Sequence, residues 1–151
     1  MQNFFALLSG LVLGPVWGAA SAGLYLLAGL LGAPVFAGFT GGITRFAGPT
    51  GGFLIGYPLC AFTAGLIAGR RDSDSGNSKT QTARIIAAVI AGLLVVYIPG
   101  VLWLKKAAEL SREKALIAGF VPFIPGDIFK GIAAVLVAGR LRKTVSGHLY
   151  E

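Results

Sequence analysis

Apolar residues run almost unbroken through the start of the chain, and Arg45 is the first charged position. Three further uncharged stretches follow, Phe46–Gly69, Ile85–Leu104 and Ala115–Gly126. The first two reach the roughly 20 residues that an apolar helix needs to span a bilayer. Gly14-Pro15 divides the opening region, so the pattern predicts a short helix over Gln2–Leu13 and a longer one over Val16–Leu31. At 1.5 Å per residue the first is about 18 Å long, short of a full crossing. From Gly32 to Gly52 the sequence GAPVFAGFTGGITRFAGPTGG carries seven glycines and two prolines, which predicts a structured loop. Helices are predicted next over Phe53–Gly69 and Ile85–Leu104, separated by the polar linker 70–84, RRDSDSGNSKTQTAR. Lys105–Lys114 is mixed in charge and reads as a rim element, with Glu109 and Glu113 four positions apart on one face of an interfacial helix. FVPFIPGD then interrupts the chain, and a last helix is predicted over Asp127–Ala138, closed by Arg140, Arg142 and Lys143. The expectation is one all-α, polytopic transmembrane bundle over residues 1–151, with five crossings.

Composition agrees and excludes the main alternatives. The chain is 55% apolar and only 13% charged, where soluble proteins carry about 25% charged residues. Cys60 is the single cysteine, so there is no disulfide frame and no cysteine-based metal site. His148 is the single histidine and lies in the polar tail, leaving none for a zinc motif or an embedded Ser-His pair. No cofactor is implied. The formal charge of +7 does not require nucleic acid, because the basic residues flank apolar spans as the positive-inside rule demands. Arg70, Arg71, Lys79, Arg84, Arg140, Arg142 and Lys143 outnumber Lys105, Lys106, Arg112 and Lys114, which places linker and C-terminus in the cytoplasm. The glycine-rich loop and the segment 107–125 then face outward. Five crossings put Met1 outside as well, and a helix ahead of it would restore a cytoplasmic start.

Two constellations carry candidate chemistry. Asp127 and Lys130 interrupt the last apolar region three positions apart, on one helix face, and each is costly in hydrocarbon unless paired or turned to a polar cavity. A carboxylate beside an ammonium suits a small polar ligand. The same pair also fits a helix-capping carboxylate with a snorkelling or ion-paired lysine, and residue chemistry leaves both readings open. Arg45 with Gly48–Gly52, GPTGG, forms the second constellation, either a backbone cradle or a tight turn before a helix. No GxxxxGK[ST] occurs, so nucleotide hydrolysis is not expected in this chain. Phe36, Phe39, Trp17, Tyr25, Tyr97 and Trp103 are candidates for apolar walls or for interfacial belts. Gly10/Gly14, Gly14/Gly18, Gly52/Gly56, Ala61/Gly65, Gly65/Gly69 and Ala88/Gly92 are spaced for close helix packing.

Taken together, Gln2 with NFFALLSGLVLGP, GLYLLAGLLGAPVFAG, GPTGGFLIGYPLCAF and PFIPGDIFK resemble, in order, the BioY proteins. These are the biotin-specific substrate-binding (S) components of energy-coupling factor (ECF) transporters. The resemblance covers most of the chain, and GPTGG combined with PxxPGDxxK is its most specific part. It implies an S-component bundle of six helices, five of them present here, in the plasma membrane of a prokaryote. It also implies biotin uptake without enzymatic chemistry, together with an energising transmembrane subunit and cytoplasmic ATPase subunits. By position it implies biotin contacts from Asp127 and Lys130. Gln2, Tyr25, Thr40, Gly41 and Gly42 fall in segments that line the family's pocket, with Arg45 the arginine nearest that loop. The alternatives are an S component for another vitamin and a truncated, non-transporting membrane subunit.

Overall fold

Gly14 has φ 84° and ψ −179°, a conformation essentially confined to glycine. Pro15 follows with the fixed φ that suits the first position of a helix. The helical stretch Gln2–Leu30 (α1) is therefore two arms joined at a sharp bend. The arms fold back on each other, because Gln2 Nε2 donates to Tyr25 Oη at 2.5 Å across a separation of 23 positions. A straight helix would hold those residues about 34 Å apart. Where the arms cross, a Cβ on Gly18 would lie 2.6 Å from Gly10 Cα. Only glycines allow that approach.

The computed structural model describes residues 1–69 and 78–145. After α1 come α2 (Ile43–Ala47), α3 (Gly51–Ala68), α4 (Ser78–Ala107), α5 (Arg112–Gly119), a 3-10 turn at Val121–Phe123 and α6 (Ile124–Val145). α3 runs beside the first arm of α1 in the same direction. A Cβ on Gly10 would meet Ala61 O at 2.1 Å, and one on Gly65 would meet Pro15 N at 2.5 Å. α4 returns against α3, with Gly52 under Trp103, Gly56 under Val96 and Gly92 beside Cys60. α6 then runs back toward the Gly14 end. Leu7, Leu11 and Cys60 are fully enclosed, and Ala64, Ala88 and Ala134 complete a core built largely of small residues.

Large apolar side chains such as Trp17, Leu24, Ile98, Phe129 and Leu136 point outward, which is stable when the surrounding solvent is lipid. Among the described residues four helical stretches are long and apolar enough to cross a membrane. The first of them is the α1 hairpin, counted as one span where the sequence predicted two separate helices. Among the described residues two charged side chains are buried, Asp127 and Arg142, one at each end of the bundle. Arg142 Nη1 and Nη2 both donate to Ala68 O at 3.4 Å, and Nη2 also donates to Gly69 O. The fork thus satisfies carbonyls left over at the C-terminus of α3.

Several element boundaries differ from the sequence expectation. α4 starts at Ser78, so 78–84 of the stretch read as linker are its opening turns, while 70–77 lie outside the described residues. The glycine-rich loop contains the short α2, and α3 begins inside it at Gly51. α6 begins at Ile124 and extends to Val145, because Pro125 is compatible with a first helical turn. Glu109 and Glu113 do not share a helix face. Glu109 has φ 52°, which separates α4 from an α5 capped by Ser111, whose side chain accepts from Lys114 N at 3.3 Å.

Candidate ligand-binding site

Asp127 stands on the first turn of α6, where the helix dipole favours a carboxylate. Its Oδ1 accepts from Asn3 Nδ2 at 2.6 Å and from Lys130 Nζ at 3.0 Å, and its Oδ2 accepts from the Tyr97 hydroxyl. The i,i+3 spacing brings the ammonium to the carboxylate. The two readings left open by the sequence therefore merge: the ion pair exists, and its lysine also borders a cavity.

A second network ties the other wall together. Gln2 Nε2 donates to Tyr25 Oη, Tyr57 Oη donates to Gln2 Oε1 at 3.2 Å, and Tyr25 Oη donates to Val35 O at 2.8 Å. Both arms of α1, the loop and α3 are joined by one amide and two phenols. Phe36 fills the space left by Gly29, where a Cβ would lie 2.1 Å from Phe36 Cζ. Its ring packs edge-on with Tyr25 and Phe46 at 5.7 Å in each case.

Between the two networks lies a cavity of about 360 Å³, within the range of small-molecule sites. Phe36, Phe53, Leu54, Val96 and Phe123 supply apolar wall, while Gln2, Asn3, Thr50, Tyr57, Tyr97, Arg45 and Lys130 supply polar groups. Among the described residues Arg45 has no ion pair, so its charge at the cavity is uncompensated, unlike that of Lys130. Such a set suits a compact ligand with an apolar body, hydrogen-bonding groups and a negative charge.

Of the residues expected from the sequence, Lys130, Gln2 and Arg45 border this cavity. Asp127 lies behind Lys130 and Asn3 and lines an apolar groove between α4 and α6 instead. Tyr25 lines a neighbouring cavity of about 450 Å³ across the Gln2–Tyr57 partition. Thr40, Gly41 and Gly42 are not brought to the cavity wall. Thr40 pairs with Phe36 and its Oγ1 donates to Ala37 O at 2.9 Å. Gly41 is pressed against Ala33 O, and Gly42, with φ 94°, donates its N–H to Gly29 O at 2.7 Å. They shape the turn that carries Phe36. Of the candidate aromatic walls, Phe36 and Tyr97 line the cavity, whereas Phe39 and Trp17 are largely exposed and Trp103 Nε1 donates to Gly48 O at 2.9 Å. Thr50, from the GPTGG constellation, also borders the cavity, whereas Asn3, Tyr57, Phe53 and Phe123 were not singled out in the sequence. For Asn3 the available signal was its place beside Gln2 at the head of an otherwise apolar helix.

Comparison with known proteins agrees over nearly the whole chain. The sequence profile of the BioY family matches residues 1–147. The "Probable biotin transporter BioY" of Pyrococcus horikoshii is 44% identical over 142 residues, covering 94% of this chain and 78% of that protein. The "Biotin transporter BioY" of Thermotoga maritima is 41% identical over 143 residues, covering 95% and 79%. The crystal structure at 2.1 Å of the S-component for biotin from an ECF-type ABC transporter superposes with a TM-score of 0.80 at 32% identity, over 93% of this chain and 73% of that one. With its profile match, relatives above 40% identity and a shared fold, the chain belongs to the BioY family.

Proposed function

We propose that this chain takes up biotin across the plasma membrane as the substrate-binding component of an ECF-type transporter. The observation that carries the reading is the 360 Å³ cavity bordered by Lys130 and Asn3, both held by the buried Asp127. Biotin's ureido ring offers one carbonyl acceptor and two N–H donors, matching the ammonium, amides and phenols of Lys130, Asn3, Gln2, Tyr57 and Tyr97. Its thiophane ring and valeryl chain fit against Phe36, Phe53 and Phe123. Its carboxylate is drawn toward Arg45, whose charge is uncompensated. Thr40, Gly41, Gly42 and Tyr25 act on the same ligand through the loop and the Gln2 network. The uptake step changes no covalent bond in biotin, so the protein is not an enzyme.

The excess of Lys and Arg around Arg84 and Arg142 supports an orientation with that end and the C-terminus in the cytoplasm, and the cavity near the outer face. Without a nucleotide-binding motif of its own, the chain is driven by an energising transmembrane subunit and cytoplasmic ATPase subunits. The deciding experiment is biotin binding in detergent by the double variant D127A/K130A, with thiamine and riboflavin as competitors against the unmodified protein. High-affinity binding is expected to disappear in the variant, and neither vitamin should displace biotin. Unchanged affinity, or displacement by either competitor, would overturn the assignment.

A further inference from the structure

Asp127 stands at a boundary. On one side Asn3 and Lys130 separate it from the ligand cavity; on the other it lines a groove of about 490 Å³ between α4 and α6 whose remaining walls are apolar side chains and Tyr97. In a bilayer that groove is bathed by hydrocarbon, where a carboxylate oxygen without a donor is strongly unfavourable. Asn3 and Lys130 both bind Oδ1, so Oδ2 depends on the Tyr97 hydroxyl. Tyr97 lines both the groove and the cavity. Its ring is fixed edge-on against Phe120 at 4.7 Å and Phe53 at 6.1 Å, which leaves the hydroxyl little freedom to turn elsewhere.

We infer that Tyr97 is a positioning residue for ligand capture: its hydroxyl holds the Asp127 carboxylate on the lipid side, so that the opposite oxygen keeps the Lys130 ammonium and the Asn3 amide at the cavity wall. Without that hydroxyl the carboxylate turns toward its two remaining donors and drags both out of register with the ligand. The ring of Tyr97 contributes wall, and the hydroxyl acts through Asp127. This rests on the biotin-binding reading given above.

The test is a double-mutant cycle on the full chain in detergent, with biotin as the probe and competition at up to millimolar biotin to read weak affinities. Y97F deletes only the hydroxyl and keeps the ring packing. In the otherwise unmodified chain it is expected to weaken biotin about tenfold, the ordinary worth of a hydrogen bond to a charged group. In a D127A background the same substitution is expected to change affinity by less than about twofold, because no side-chain acceptor remains for the hydroxyl to hold. Equal losses in both backgrounds would make the hydroxyl a direct contact or a general structural element and overturn the inference. So would a Y97F protein that binds as well as the unmodified chain. Those two results leave biotin binding itself standing, whereas an unmodified chain that does not bind biotin overturns both readings.

Discussion

Asn3 and Asp127 lie 124 positions apart in the chain and are joined by a hydrogen bond of 2.6 Å. The wall of the cavity therefore exists only when the first arm of α1 is docked on α6, and binding competence is coupled to closure of the whole bundle. Side-chain hydrogen bonds between membrane helices average about 0.6 kcal/mol, since the separated helices find other partners. A bond to a buried carboxylate lies above that average. N3A is expected to cost about 1–2 kcal/mol of stability and to weaken biotin roughly tenfold. N3D, which faces Asp127 with a second carboxylate, should be worse on both counts. Thermal unfolding in detergent and equilibrium binding read the two effects.

Replacing the crossing glycines tests the packing directly. A Cβ on Gly65 would lie 2.5 Å from Pro15 N and one on Gly10 would lie 2.1 Å from Ala61 O, with backbone rather than flexible side chain in the way. G65A and G10A are expected to destabilise by about 1–3 kcal/mol or more, as overpacked sites do. Gly23 sits mid-helix with nothing within 4 Å of its would-be Cβ. G23A should be neutral or stabilising by up to about 1 kcal/mol. Melting temperatures of the three variants in one detergent separate steric exclusion from a general sensitivity to glycine loss.

What could be read from the sequence follows from how local each signal is. The α1 bend was legible because Gly-Pro encodes a backbone conformation within two residues. The Asp127–Lys130 pair was legible because charges are expensive in hydrocarbon and so rarely stand there idle. Asn3, Tyr57 and the role of the Tyr97 hydroxyl were not. An amide or a phenol on an apolar helix is common, and what these do depends on partners 124, 55 and 30 positions away. α4 was expected to begin at Ile85 because the charged Lys79–Arg84 stretch marks the end of the apolar span, yet Lys, Gln, Ala and Arg are good helix formers and the helix continues through them. The glycine-rich stretch was expected as loop alone, whereas it contains α2 and the start of α3, and the direction of its contacts was not foreseen: Thr40, Gly41 and Gly42 serve Phe36 instead of the cavity.

Arg142 offers a contrast to the ligand end. Its buried guanidinium donates to Ala68 and Gly69 carbonyls, so R142A leaves the end of α3 without those donors. The loss is expected to be about 1.5–3 kcal/mol, with R142K intermediate because an ammonium cannot reproduce the planar fork. Biotin affinity measured on the folded fraction should change by less than about twofold, because the cavity lies at the opposite end of the bundle. A large fall in affinity without a fall in melting temperature would show that the two ends are coupled.

Orientation can be decided by labelling. Cys60 is completely buried, so a C60A background removes the one native thiol at the cost of a small core void. Glu113 on α5 and Thr80 on α4 are exposed positions toward opposite ends of the bundle. If the excess of Lys and Arg sets the topology, E113C should react with a membrane-impermeant maleimide on intact cells, whereas T80C should react only after lysis. The cavity shares its end of the bundle with α5, so the outer side would then be the side from which ligand enters. The reverse labelling pattern would place the cavity mouth in the cytoplasm, and a chain in that orientation would be unsuited to uptake even with its binding residues intact.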